Sequence, residues 1–123
     1  MKITRCIDQT DNIRWVVPVG PDRAVVCVGS DPFSGLTVGK QEIEVKRWLA
    51  PLQPGVIYGV GLNYRAHAME TGAQLPDSPV IFMKPPTAVI GSGDAIEIPE
   101  VSDTVDYELE IAAVIGKSAK NVS

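Results

Sequence analysis

The sequence predicts a mostly β (α+β) chain in two unequal units. A small N-terminal β-meander occupies residues 1–50, and a second β-rich unit occupies residues 51–123. Three observations carry this reading. The apolar segments are short and are bounded by clusters of Gly, Pro, Asp and Asn, which is strand-and-turn punctuation. The stretch Ala50-Pro51-Leu52-Gln53-Pro54-Gly55 concentrates two prolines and a glycine and marks a boundary. Helix signals converge at one place, Tyr64–Glu70, so strands must build most of the rest.

Lys2–Ile7, Ile13–Val17 and Ala24–Val28 are strand candidates. Gln9-Thr10-Asp11-Asn12 and Pro18-Val19-Gly20-Pro21-Asp22 are the turns between them. Asp31-Pro32-Phe33-Ser34-Gly35 reads as a loop, and Glu42–Leu49 as a fourth strand with apolar Ile43 and Val45 on one face. Trp15 and Trp48 are expected to pack in the core or between the units. After the boundary, Val56–Val60 reads as a buried strand. Asn63 is placed as the N-cap of the short helix, and Gly72 as the residue that ends it. Val80–Met83 is a strand closed by Lys84-Pro85-Pro86, since proline cannot continue a central ladder. Ala88–Ile90 and Ala95–Ile98 are further short strands. Val105–Gly116 is the last, its second half an unbroken apolar run.

The bulk properties limit the partners. The chain is 45% hydrophobic and 21% charged, a globular balance. Its formal charge of −4 and the absence of any basic block argue against nucleic acid or an anionic membrane surface as partner. No long apolar segment marks a secretory leader or a membrane span, so the expected compartment is the cytoplasm. Cys6 and Cys27 are expected to be reduced core thiols.

Glu108 and Glu110 lie two apart on the last strand, so they share one face with Cα atoms roughly 6–7 Å apart. Two negative charges that close repel, and a divalent cation taking an oxygen from each removes the repulsion. Spacing alone equally admits a solvated pair. On the helix, His67 and Glu70 are three apart and share a face. A carboxylate bonded to one imidazole nitrogen orients the other as a general base, although an ordinary surface pair has the same spacing. His67 is the only histidine, so a cation site here must be built from oxygen ligands, which favour Mg²⁺, Mn²⁺ or Ca²⁺. Lys84, at a strand end, can bind a substrate anion or simply be solvated. A dinucleotide-binding reading of Gly59–Asn63 fails, because Tyr64 stands where the third glycine belongs.

Four blocks in order resemble the fumarylacetoacetate hydrolase family: Gly61-Leu62-Asn63-Tyr64-Arg65-Ala66-His67, Pro79–Pro85, Ile90-Gly91-Ser92-Gly93-Asp94, and Val105-Asp106-Tyr107-Glu108-Leu109-Glu110 through Lys117. Arg14-Trp15, Gly29-Ser30-Asp31-Pro32-Phe33 and Leu49-Ala50-Pro51 extend the likeness into the N-terminal half. The resemblance implies that residues 51–123 form the first part of a mixed β-roll, usually dimeric. It implies Mg²⁺ or Mn²⁺ held through Glu108 and Glu110, and His67 with Glu70 as catalytic dyad on a lid-like helix. The implied substrates are small 2-oxo or β-diketo acids, which are hydrolysed, decarboxylated or isomerised in aromatic-compound or amino-acid catabolism.

The third metal carboxylate of that family stands on a later strand, and this chain reaches Ser123 before one. The expectation is therefore of a truncated product, half of a split enzyme or a mis-bounded gene, with either a homodimer or a downstream polypeptide that completes the fold. The alternative is an inactive binding or structural half-module.

Overall fold

The computed structural model describes residues 1–122. Four antiparallel strands, β1 (Thr4–Asp8), β2 (Ile13–Pro18), β3 (Arg23–Val28) and β4 (Thr37–Leu49), close into a barrel in the order β1-β2-β3-β4. The expected meander is present, but β4 begins earlier than the alternation of Ile43 and Val45 indicates. Its length closes the sheet. The first part, from Thr37 to Glu44, pairs with β3, and Val45–Leu49 turns onto β1, with register shifts at Ile7/Asp8 and Val25/Cys27. Such irregularities bend and twist a strand, which a barrel of so few strands requires.

The core follows from strand alternation. Cys6, Val16 and Ala24 are fully buried, and Val26, Ile43, Val45 and Trp48 pack around them. Trp48 donates its indole N–H to the Pro21 carbonyl at 2.7 Å, so its ring covers the core while its polar atom is satisfied. Trp15 lies opposite Arg5 in the β1–β2 register and carries the Arg5 guanidinium 5.9 Å from its ring centre. Cys6 and Cys27 are free, buried thiols, and burial pushes both up from the ordinary thiol pKa.

Asp8 is the one charged residue in this interior and it organises the first turn. Its carboxylate accepts bonds from Arg14 Nε at 2.8 Å, Thr10 Oγ1 at 2.7 Å, and the Thr10 and Asn12 amides at 2.9 Å each. Arg14 foremost, then Thr10 and Asn12, hold this carboxyl well below the usual aspartate range. Because the folded value is depressed, the stabilisation is complete above the unfolded value and is lost as pH falls. Asp8→Asn is therefore expected to lower the thermal midpoint near neutral pH. It should also flatten the fall in midpoint that wild type shows below about pH 4. Melting curves from about pH 2 to pH 7 check both effects.

Beyond the barrel, β5 (Ile57–Gly61) and β6 (Val80–Lys84) form a two-stranded antiparallel sheet, joined through a helix, α1 (Arg65–Glu70). Gly59 faces Phe82 across the ladder, and the Phe82 ring lies where a Cβ at Gly59 would stand. Tyr64, not Asn63, is the N-cap of α1, and it makes no side-chain cap. Leu62 adopts φ +53°, which turns the chain between β5 and the helix one residue ahead of the expected cap. Gly72 follows Thr71 at φ +68° and ends α1 as expected.

Three expected strands are absent. Pro86–Ala88 is a single 3-10 turn, and Ala95–Ile98 and Val105–Gly116 carry no ladder. Ile96, Leu109 and Ile111 are exposed rather than buried. The reason is pairwise: an apolar run encodes a preference for burial, but a strand exists only where another strand takes its N–H and C=O groups. Among the described residues none does so for these segments. No described helix is long and apolar enough to cross a membrane.

Residues 89–94 pack back onto β4. Arg47 forms a forked pair with Asp94, Nη2–Oδ2 2.7 Å and Nε–Oδ1 3.2 Å, and Asp94 also accepts the Gly91 amide at 2.8 Å. The pair holds the Asp94 carboxyl below its ordinary value and raises Arg47. Gly91 lies against the Trp48 carbonyl and the Leu49 Cα, too close for a side chain.

Candidate functional site

The second half of the chain assembles the candidate site. The turn after β5 and the short helix α1 place His67 in the last turn, half exposed, while the adjoining Ala68 is buried and seats the helix. His67 Nε2 stands 3.9 Å from Glu108 Oε1, an ion-pair distance but not a hydrogen bond. The structure thus brings together the histidine of one block and the first carboxylate of another. It does not join His67 to Glu70: among the described residues Glu70 makes no ion pair and no hydrogen bond to the imidazole. Helical spacing puts the two on one face, but the imidazole turns toward Glu108.

Glu108 and Glu110 are both exposed, and neither meets a lysine or arginine among the described residues. Lys84 ends β6 with its ammonium 5.8 Å from the Phe82 ring centre, the two sharing one face of the strand. Among the described residues it forms no ion pair or hydrogen bond with His67 or Glu108.

The donor chemistry of Glu108 and Glu110 fits a hard divalent cation, being two free carboxylates on one short stretch. The donor number is smaller than a closed site uses. Among the described residues no three His, Cys, Asp or Glu side chains converge as a metal cluster. An open cleft of about 220 Å³ lies beside α1, between Val60–Asn63 and Leu75–Pro79. Leu62, the residue with the left-handed backbone, lines it. Sequence reasoning identified the Gly61–His67 block, Leu62 included, but not the left-handed backbone of Leu62, because an isolated left-handed leucine has no sequence signal.

The family model described as fumarylacetoacetate (FAA) hydrolase C-terminal matches residues 56–123, more than half of the chain. An uncharacterised protein of Archaeoglobus fulgidus is 49% identical over 76 residues, covering 62% of this chain and 30% of that protein. Oxaloacetate tautomerase FAHD2, mitochondrial, of Arabidopsis thaliana is 47% identical over 66 residues, 54% of this chain and 30% of that protein. A solved structure of a putative uncharacterised protein from Mycobacterium abscessus superposes with a TM-score of 0.61 at 34% identity. It covers 81% of this chain and 39% of that one. The chain spans about a quarter to two fifths of the length of the relatives it matches. By the family match over β5, α1, β6 and the Glu108–Glu110 segment, this chain belongs to the fumarylacetoacetate hydrolase family.

Proposed function

We propose that the chain supplies part of the active site of an enzyme that enolises small 2-oxo acids. The observation that carries this reading is the approach of His67 Nε2 to Glu108 Oε1, which sets a proton carrier beside the first of two free carboxylates. A divalent cation, Mg²⁺ or Mn²⁺, held by Glu108 and Glu110 supplies Lewis-acid stabilisation of negative charge on the 2-oxo acid. His67 Nε2 takes a proton from the carbon beside the keto group, or from an attacking water, and returns it at the other end of the reaction. Glu70, on the same helix face, is the acceptor proposed for the other imidazole nitrogen. Lys84 is proposed to meet the substrate's second anionic group.

Relatives named as oxaloacetate tautomerases support tautomerisation as the reaction, with hydrolysis or decarboxylation as variants of the same enolate chemistry. The proposed setting is the cytoplasm. The proposed assembly is a homodimer, or a pairing with a polypeptide that covers the remaining length of the relatives.

The test follows the enol-to-keto conversion of oxaloacetate by ultraviolet absorbance with added Mn²⁺. It is run on the chain alone and with a polypeptide spanning the remainder of the Mycobacterium abscessus relative. Acceleration that vanishes with chelator and in His67→Ala is expected. A rate indifferent to Mn²⁺ in both arms overturns the reading and leaves a binding half-module.

A further inference from the structure

We propose that the N-terminal barrel is a clamp that holds the carboxylate-bearing segment in place, with Phe33 as its positioning residue. The claim that this serves a site rests on the reading of Glu108 and Glu110 as cation ligands; the clamp itself does not.

The segment from residue 95 to 122 has no ladder of its own, yet it is fixed to the barrel near both ends. At one end Gly91 lies on the backbone of Trp48 and Leu49, and Asp94 is forked onto Arg47. At the other end Gly116 lies under Phe33, whose Cδ1 and Cε1 stand 2.7 and 3.1 Å from where a Cβ would be. That approach admits only glycine without movement of the ring. Glu108 and Glu110 lie between the two anchors. Fixing both ends of a flexible stretch removes much of its conformational freedom before any ligand arrives, so less ordering remains for binding to supply.

The loop that carries Phe33 is built in advance. Asp31 accepts bonds from the Phe33 and Ser34 amides at 2.8 and 2.9 Å and from the Ser34 hydroxyl at 2.6 Å. Those bonds, the Ser34 hydroxyl foremost, hold the Asp31 carboxyl below its ordinary value, so the loop keeps its form at neutral pH. Gly29 and Gly35 take positive φ at its two ends, +132° and +99°, and Gly29 abuts the Gly35 carbonyl. A residue needed only for barrel packing would point inward. Phe33 is 53% exposed, and its ring lies against Gly116.

The experiment uses the whole chain and two readouts. In the wild type, the Phe33 ring current is expected to move the Gly116 Hα resonances away from their ordinary positions. The shift is expected to disappear in Phe33→Leu and to persist in Phe33→Tyr. Tryptic cleavage after Lys117 is expected to accelerate about tenfold in Phe33→Ala, because proteolysis follows the population of the released segment, and to return to the wild-type rate in Phe33→Tyr. Ordinary Gly116 Hα positions in the wild type, or cleavage indifferent to Phe33→Ala, overturn the clamp. Mn²⁺ added to the same samples separates the two claims. Broadening at Glu108 and Glu110 that weakens in Phe33→Ala and recovers in Phe33→Tyr supports positioning for a cation. A ring-current shift with no broadening upholds the clamp and removes the cation reading. Broadening without the shift removes the clamp.

Discussion

Val16→Asp is expected to abolish the folded barrel. Val16 is fully buried on β2, packed with Cys6 of β1 and Ala24 of β3, in a core of few residues. Arg14, the cation two residues away on the same strand, is already committed to Asp8. Burying an unpaired carboxylate costs several kcal/mol, a large share of the 5–15 kcal/mol by which a whole domain is stable. Far-ultraviolet circular dichroism should show loss of the β signal and no cooperative melting transition. Val19→Asp, at an exposed turn position, is the control and should melt like the wild type. A Val16→Asp chain that still melts cooperatively would show that the core lies elsewhere.

Glu108→Gln is expected to have the largest effect on activity. It keeps the shape of the side chain and removes both the charge and the partner of His67. Cation affinity in oxygen-ligand sites depends on the number of charged ligands, so Mn²⁺ affinity should fall by about tenfold or more, and similarly for Glu110→Gln. Where Mn²⁺-dependent conversion of oxaloacetate is observed, the rate should fall by roughly 10²–10³-fold, the scale of losing one preorganised charge-stabilising group. Tyr107→Phe, a neighbouring substitution at an exposed residue that removes no charge, should leave both unchanged. Electron paramagnetic resonance of free Mn²⁺ gives the affinity without reference to turnover. Equal affinity in Glu108→Gln and wild type would remove Glu108 from the site.

The barrel was largely readable from the residues because its strands report on themselves. Cys6, Val16 and Ala24 alternate with less buried neighbours, and Asp, Asn, Gly and Pro punctuate the turns. Extending β4 back to Thr37 escaped this reading, because Val38 and Lys40 are both exposed and carry no alternation. The second half was harder. The apolar run at Ile111–Ile115 encodes a wish for burial but not the neighbour that would satisfy it, and in this chain it stays exposed. The candidate site residues were singled out by spacing and by motif blocks. The contact between His67 and Glu108 was not, since one-dimensional spacing on α1 favours Glu70 and says nothing of what approaches from another segment.

The double pairing of β4 also sets an order of events. Thr4 Oγ1 reaches the Leu49 carbonyl, and Arg5 Nε the Ala50 carbonyl, across a sequence separation of 45 residues. Until Leu49 has left the ribosome, β1 has a partner on one side only, and a nascent chain halted before Thr37 is a three-stranded ribbon with two open edges. Long-range closure of this kind is the slow step of small β folds. Of the barrel strands, β1 therefore waits longest for its final contacts, and a translational pause within β4 would prolong the interval in which the nascent ribbon can pair with a neighbour on the same message.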